Sequence, residues 1–477
     1  MNSTDVKKSH VVFIPFPAQS HIKCMLKLAK LLHHMGLNIT FINTHSNHKL
    51  LEKSSGIHDL HGFHFKMVPD SPSSSTEDGV KHTAAIGAEL WIYLKTTFFD
   101  SFLDLVSGLE TPANCIVCDG FLSYLNMVYA AEKLKIPLIL FWTVAACGFM
   151  GVYQAKVLME KGIIPLTDES YLTNGYLDME IDWIPGMEAI RLKDLWNFVR
   201  ATKPTDPGLK YLRKTAEAAD KVSHMIIHTF EELEARLVKE LRMIFPNVYT
   251  IGPLQLLLNK ETENSSFNGY SLWNEEPKCV EWLQSKERDS VLYVNFGSLT
   301  VMSLQDLLEF GWGLVNSNHY FLWIVRTDLV DRKPVVLPQE LEEAMSKKGF
   351  IASWCSQEEV LNHPSVGGFL THGGWGSVIE SLSAGVPMIC CPFAGDQRTN
   401  CRQMSKEWEV GLEIERNVNR HVVEKVIRVL MEGAEGERMR KKALEWKKKA
   451  EMATGPNGSS YLDAKKLANE ITELPRS

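Results

Sequence analysis

Short apolar runs rich in β-branched and aromatic residues alternate along this chain with longer stretches whose apolar positions recur every three or four residues. The runs are His10–Phe16, Asn38–Asn43, His64–Pro69, Cys115–Asp119, Pro137–Trp142, His224–Phe230, Val248–Gly252, Val291–Phe296, Tyr320–Val325, Phe350–Trp354, Gly367–Thr371 and Met388–Pro392. Near-continuous apolarity, as in Val11-Val12-Phe13-Ile14, is what strands of a parallel sheet covered on both faces require. Between the first two runs, Ile22, Met25, Leu28, Ala29 and Leu32 fall on one face of a helix, with lysines elsewhere. Alternating strands and helices predict α/β architecture with doubly wound parallel sheets. The pattern pauses at Leu258–Pro277, a polar stretch that reads as a linker. We therefore expect an N-terminal domain over 1–252, a linker over about 254–277 and a second domain over 253–455. A charged helix around Gly436–Met452 precedes a Gly-Pro-Asn-Gly break. The final segment, 456–477, is expected to form a helix that packs back on the first domain.

Composition narrows the chemistry. The 477 residues, 45% hydrophobic and 23% charged, have ample apolar material for two cores. A net charge of −7 gives no general attraction to nucleic acid or anionic membrane, so neither is expected as a partner. The N-terminus lacks the apolar core of a secretory signal. The longest apolar run, Pro137–Tyr153, is too short to span a bilayer and contains Gly148 and Gly151; it reads as a buried strand followed by a helix. Nine thinly spread cysteines suit a reduced, cytoplasmic setting. The Cys115/Cys118 pair lies inside a strand and reads as packing, with no second pair to complete a zinc site.

The most informative segment is Gly367–Pro387, where a strand runs into a glycine-rich turn and a helix begins near Ser377. Gly373, Gly374 and Gly376 let the backbone turn and approach a ligand closely. The helix start offers unpaired N–H groups and partial positive charge, an anion site. Ser377 reads either as the N-cap or as a hydroxyl donor to phosphate, and His372 can donate to the same anion. A tight turn with nothing bound stays open on this segment alone. Other nucleotide motifs are absent: Gly311-Trp312-Gly313 lies inside a helical stretch, and there is no Walker loop, HExxH or GxSxG.

Trp354 to Gln397 resembles the signature box of plant secondary-product UDP-glycosyltransferases over its whole length. It begins Trp-Cys-Ser-Gln-Glu-Glu-Val-Leu-Asn-His-Pro, carries Thr-His-Gly-Gly-Trp in the middle and ends Ala-Gly-Asp-Gln. The likeness starts at Pro-Phe-Pro-Ala-Gln-Ser-His near the N-terminus and runs to the tail, closest to the branch that glucosylates terpenoids, cyanohydrins and related small molecules. It implies a GT-B-like fold, two Rossmann-like domains facing across a cleft, and a UDP-sugar co-substrate with no separate cofactor and no metal. By resemblance, Trp354 stacks on uracil with Cys355 and Gln357 beside it, and Glu380 takes the ribose hydroxyls. His372, Ser377 and Ser298 hold the phosphates; Trp375, Asp396, Gln397 and Thr143 meet the sugar. The final glutamine matches the glucose-preferring form. One departure is Gly376, where the family usually has Asn, which implies weaker donor binding than in relatives. Another is Ser20, where relatives often have Gly.

His21 follows the first strand in the opening turn of a helix, with Ser20 as N-cap, and Asp119 closes another strand. Both therefore lie at carboxyl ends of strands, the edge where open α/β sheets bind ligands. On the residues alone, a histidine at a helix start is more often a capping or surface group. By resemblance, His21 and Asp119 are the catalytic dyad of an inverting displacement on the anomeric carbon. The acceptor pocket is expected from Trp91, Phe121, Leu122, Phe149, Trp196, Phe198 and Arg200, and the protein is expected to be a monomer. Two other readings remain at this point: a UDP-sugar-binding relative with weak or no transferase activity, kept alive by Gly376, and a nicotinamide-linked oxidoreductase, disfavoured by the missing glycine fingerprint.

Overall fold

The computed structural model describes all residues except 1–7, 72–87, 262–269, 331–336, 416 and 475–477. The chain forms two compact units: the first holds residues 1–165, 203–273 and 453–477, the second 166–202 and 274–452. The strands of the first are β1 (His10–Ile14), β2 (Asn38–Thr44), β3 (Phe63–Val68), β4 (Cys115–Asp119) and β5 (Leu138–Trp142). After an excursion containing β6 (Glu180–Ile181) and β7 (Ile190–Arg191), which pair antiparallel in the second unit, β8 (His224–Ile227) and β9 (Asn247–Thr250) complete its sheet. The second unit contains β10 (Val291–Asn295), β11 (Tyr320–Ile324), β12 (Gly349–Ala352), β13 (Val366–Thr371), β14 (Met388–Cys390) and β15 (Gly411–Glu413).

The two sheets run β3-β2-β1-β4-β5-β8-β9 and β12-β11-β10-β13-β14-β15, with every neighbouring pair parallel. In both, the winding reverses direction at the centre, between β1 and β4 and between β10 and β13. Such a switch point opens a crevice at the carboxyl ends of two adjacent strands whose connections leave on opposite sides. The central strands are buried along their whole length, as their uninterrupted apolar runs demand. Among the described residues, no helix is long and apolar enough to cross a membrane.

All twelve expected runs contain strands. The sequence reading missed β6, β7 and β15, each only two or three residues long and without a distinct apolar run. The domain expectation differs in two places. Residues 166–202, expected in the first domain, belong to the second unit, where Thr399 Oγ1 donates to the Asp194 carbonyl (2.8 Å) and the Gly395 N–H to Asn197 Oδ1 (2.9 Å). The expected linker begins instead with a helix, Leu254–Glu261, whose Leu254, Leu257 and Leu258 join the first core beside the helix Gln19–His34. The rest of that stretch, 262–269, lies outside the described residues. The last helix, Ser459–Glu473, buries Ala464, Leu467 and Ile471 in the same core.

Candidate active site

The first unit's switch point carries the histidine. The helix Gln19–His34 follows β1 and starts at N-cap Ala18, whose side chain offers no cap, so Ser20 is a first-turn residue and not the cap expected for it. His21 sits in that turn, and its Nδ1 lies 2.8 Å from Asp119 Oδ2 and 3.0 Å from Thr143 Oγ1. Asp119, the last residue of β4, is fully buried; its other oxygen accepts the Phe121 N–H at 2.9 Å, capping the short 3₁₀ turn Gly120–Leu125. With a carboxylate on Nδ1, that nitrogen carries the proton and Nε2 keeps its lone pair. The imidazole is framed by Phe16 (5.1 Å between ring centroids) and by Phe121, edge-on at 4.5 Å.

The second unit's switch point carries a cradle. Asn295 at the end of β10 lies in register with Thr371 at the end of β13, so the turn after β10 and the loop after β13 emerge side by side. Gly297 has φ +76°, and the His372 ring occupies the space its Cβ would need. Gly373, at φ +80°, lies against Cys390 Sγ in the same way. The following helix, Trp375–Ala384, has Gly374 as its N-cap, without a side-chain cap. Ser377 is therefore in the first turn and is not the N-cap, and Gly376 is helical and not part of the turn. Among the described residues, the Gly376 and Ser377 N–H groups have no acceptor. Burial and the nearby Arg326 guanidinium push the His372 pKa down to about 3, so the ring is neutral at physiological pH and presents one N–H donor.

Behind the helix start runs a chain of amides. Gln357 Nε2 donates to Ser377 Oγ (3.1 Å) and Glu380 Oε2 (2.8 Å), while its Oε1 accepts from Asn295 Nδ2 (2.9 Å) and Tyr293 OH (3.2 Å). Asn295 Oδ1 accepts the Gly297 N–H at 2.9 Å, which ties the first turn to the same network. After β14, Gln397 Oε1 accepts the N–H groups of Phe393 (2.7 Å) and Ala394 (2.9 Å). Asn400, fully buried, donates to both Asp396 Oδ2 and the Gly373 carbonyl at 2.9 Å.

Comparisons with known proteins show the family of the chain. Residues 210–440 match the family model described as UDP-glucoronosyl and UDP-glucosyl transferase. UDP-glycosyltransferase 85C1 of Stevia rebaudiana is 69% identical over 481 residues, covering 100% of this chain and 99% of that one. The chain belongs to the UDP-glycosyltransferase family. A 7-deoxyloganetin glucosyltransferase of Catharanthus roseus is 46% identical over 484 residues, covering 100% of this chain and 99% of its own. Among solved structures, a UDP-glucose: anthocyanidin 3-O-glucosyltransferase in complex with UDP aligns with TM-score 0.80 at 25% identity, covering 98% of this chain and 99% of that one. The transferase thus has the GT-B fold expected from the sequence and takes a UDP-sugar as co-substrate, and the oxidoreductase reading falls away.

Within this UDP-glycosyltransferase, the expected residues separate into two groups. His21, Asp119, Thr143 and Phe121 come together in the first unit. Ser298, Gln357, His372, Gly376, Ser377 and Glu380 gather around the second switch point, with Asp396 and Gln397 one strand along. Trp354 is half-buried at the end of β12, and its carbonyl accepts the Glu276 N–H at 3.1 Å. Cys355 is buried beneath it, 3.4 Å from Tyr293 OH. The Trp375 indole is buried and lies 6.0 Å from the Trp408 ring.

The residues expected at the acceptor pocket are divided between the two units. Leu122 and Phe149 have no exposed surface; Phe149 packs on Trp142 and Phe245 as core. Trp196, Phe198 and Arg200 belong to the second unit, and Arg200 donates to the Lys193 carbonyl at 3.0 Å. The Trp91 side chain lies outside the described residues. Among the described residues, no group of three or more His, Cys, Asp or Glu side chains could hold a metal ion.

Sequence reasoning missed several residues that hold these groups in place. Glu234 accepts the Ala146 and Cys147 N–H groups (2.9 and 2.8 Å) and Thr229 Oγ1 (2.6 Å), fixing the helix start that follows Thr143. Gln19 bonds the Tyr270 carbonyl and the Leu272 N–H, two residues before His21. Asn295 and Asn400 tie the cradle together. Each also bonds a partner 27 to 253 residues away, Glu234 at Ala146 and Cys147, Gln19 at Tyr270 and Leu272, Asn295 at Gln357 and Asn400 at Gly373, with no local pattern to mark it.

Proposed function

We propose that this transferase moves glucose from UDP-glucose to a hydroxyl or carboxyl group of a small lipophilic plant metabolite of terpenoid, iridoid or phenolic type. His21 acts as general base, and the anomeric centre is inverted. The observation that carries this reading is the 2.8 Å bond between His21 Nδ1 and Asp119 Oδ2, which leaves Nε2 as a proton acceptor. The Catharanthus relative, a glucosyltransferase by name, supports glucose as the donor sugar and an iridoid type of acceptor. The NH₂ of Gln397 suits a sugar hydroxyl.

Nε2 takes the acceptor proton, the oxygen attacks the anomeric carbon from the face opposite UDP, and the bond to the diphosphate breaks. Asp119 fixes the tautomer and stabilises the imidazolium that forms, assistance worth about 10²–10⁴ in rate. The first-turn N–H groups at Gly376 and Ser377, with His372 and the Ser377 hydroxyl, meet the charge that develops on UDP. Trp354 offers a stacking face for uracil, and Glu380, oriented by Gln357, accepts from the ribose hydroxyls. Nine free, buried cysteines fit a cytoplasmic protein, and we take the working form to be a monomer.

The test has two readouts. UDP-glucose with a mixed panel of terpenoid, iridoid and phenolic acceptors should give β-glucosides by proton NMR. His21→Ala should lower turnover by about 10²–10⁴ and keep thermal stabilisation by UDP. α-Glucosides, or a His21→Ala enzyme of undiminished rate, would overturn the mechanism.

A further inference from the structure

One buried cation near the cradle has no part in the mechanism above. Arg326, two residues beyond β11, is 5% exposed. Its guanidinium donates Nε to Asp328 Oδ1 (2.9 Å), one Nη to the Thr300 carbonyl (2.9 Å) and the other to the Gly297 carbonyl. It therefore holds both ends of the turn that follows β10. Asp328 is 22% exposed, so the paired carboxylate is better solvated than the guanidinium it neutralises. The same charge helps depress the His372 pKa, which places it near that ring.

The peptide group makes this bond directional. In a trans peptide, C=O and N–H point in opposite directions across one plane. A Gly297 carbonyl fixed on Arg326 sends the Ser298 N–H the other way, and a Thr300 carbonyl fixed there does the same to the Val301 N–H. Among the described residues, the Ser298 N–H has no acceptor, and Ser298 is half-buried. It stands beside Gly297, on which the His372 ring packs, at the carboxyl end of the strand next to β13. An arginine that polarises a peptide from its carbonyl end strengthens the donor at its other end.

We infer that Arg326 is a positioning residue for the donor diphosphate: it turns the Ser298 peptide so that its N–H joins the His372 and helix-start donors. Arg326 itself touches no phosphate. This rests on the reading that a nucleoside diphosphate lies at the start of the helix Trp375–Ala384. It adds a third arm to the cradle, built from a side chain on β11's extension. A guanidinium is required because its planar fork spans two carbonyls and a carboxylate at once, which an ammonium on a single stem does not.

The experiment compares the affinities of UDP and UMP by calorimetry, since the second phosphate reads the cradle and the nucleoside does not. The unsubstituted enzyme should bind UDP well above UMP. Equal affinities would remove the diphosphate reading itself, separately from the role of Arg326. Arg326→Lys keeps the charge and loses the two-carbonyl span, and should cut the UDP-to-UMP ratio about tenfold, or about 1.4 kcal/mol, with UMP affinity retained. It should raise KM for UDP-glucose more than it lowers kcat. A ratio unchanged in Arg326→Lys, or UDP and UMP weakened alike, would overturn the proposal. Asp328→Asn keeps both carbonyl bonds and guards against a misfolded lysine variant: the ratio should stay at or above the starting value, and a fall would count against the proposal.

Discussion

In the first unit, the switch point of the sheet comes down to two side chains and one bond, His21 to Asp119, with Thr143 alongside. In the second, the equivalent place is built from backbone N–H groups, a neutral histidine and a chain of amides reaching from Asn295 through Gln357 to Ser377 and Glu380. On the proposed mechanism, proton transfer needs one acceptor with the right tautomer, which would concentrate function in the first region. Stabilising a diphosphate needs many donors already oriented, which would spread it through the second. The two regions should answer to mutation in different ways.

The largest effects belong to the concentrated site. His21→Ala should lower kcat by about 10²–10⁴ with little change in UDP affinity. Asp119→Asn tests the same bond more finely. Its amide can keep the Phe121 contact through the oxygen, yet an NH₂ facing His21 Nδ1 forces that nitrogen to accept and moves the proton to Nε2. We expect a loss close to that of His21→Ala, with secondary structure unchanged by circular dichroism. Thr143→Val, which removes the neighbour at 3.0 Å, should cost less than tenfold. A Thr143 loss equal to that of Asp119 would show that this site, too, is distributed.

Intermediate effects belong to the cradle and should fall on KM. Asn295→Ala leaves Gln357 Oε1, Tyr293 OH and the Gly297 N–H each short of a partner, and an unsatisfied buried polar group costs about 1–3 kcal/mol. The thermal midpoint should drop and KM for UDP-glucose should rise about tenfold, with kcat changed less. A kcat loss as large as that of His21→Ala would erase the contrast between the two regions.

That contrast also explains what was readable in the sequence. The strands announced themselves because both faces are buried, and the cradle did so because a glycine turn between strand and helix is a contiguous pattern. His21 and Asp119 stand 98 positions apart and carry no mark of their pairing except their likeness to a family. The amide network was illegible for the same reason. The excursion over 166–202 reads as part of the first domain because its two-residue strands and short turns carry no period, whereas in the fold it bonds Thr399 and Gly395 of the second unit. Residue type alone reads Ser20 as a cap and Ser377 as either a cap or a hydroxyl donor to phosphate. The helices start earlier, at Ala18 and Gly374, where backbone geometry decides and no side chain caps.

A smaller effect concerns pH. His372 has a folded pKa of about 3, below its unfolded value near 6.5, so the unfolded chain binds the extra proton between those values. Its contribution to stability is fully present above about pH 6.5 and is lost progressively as pH falls toward 3. His372→Gln should therefore flatten the decline of the ligand-free thermal midpoint between pH 7 and pH 4.5. An unchanged slope would mean that other groups govern acid sensitivity, and that the neutral ring is not a feature of the cradle.

The smallest expected change is a gain. Gly376 occupies the second position of the helix Trp375–Ala384, with an ordinary helical backbone, and a Cβ added there meets no atom within 4 Å. Asn therefore fits without strain, and it is a better helix residue than Gly by a few tenths of a kcal/mol on propensity alone, roughly. Its amide would stand in the first turn among donors already aimed outward. A hydrogen bond to a charged group is worth about 1.5–3 kcal/mol, but water already occupies such a gap in solution and returns part of that energy. Gly376→Asn should accordingly lower KM for UDP-glucose by about two- to tenfold and leave kcat near its starting value. A raised KM would mean that the extra side chain crowds the diphosphate, and an unchanged one that the cradle is already complete, its strength residing wholly in the backbone and in the amides behind it.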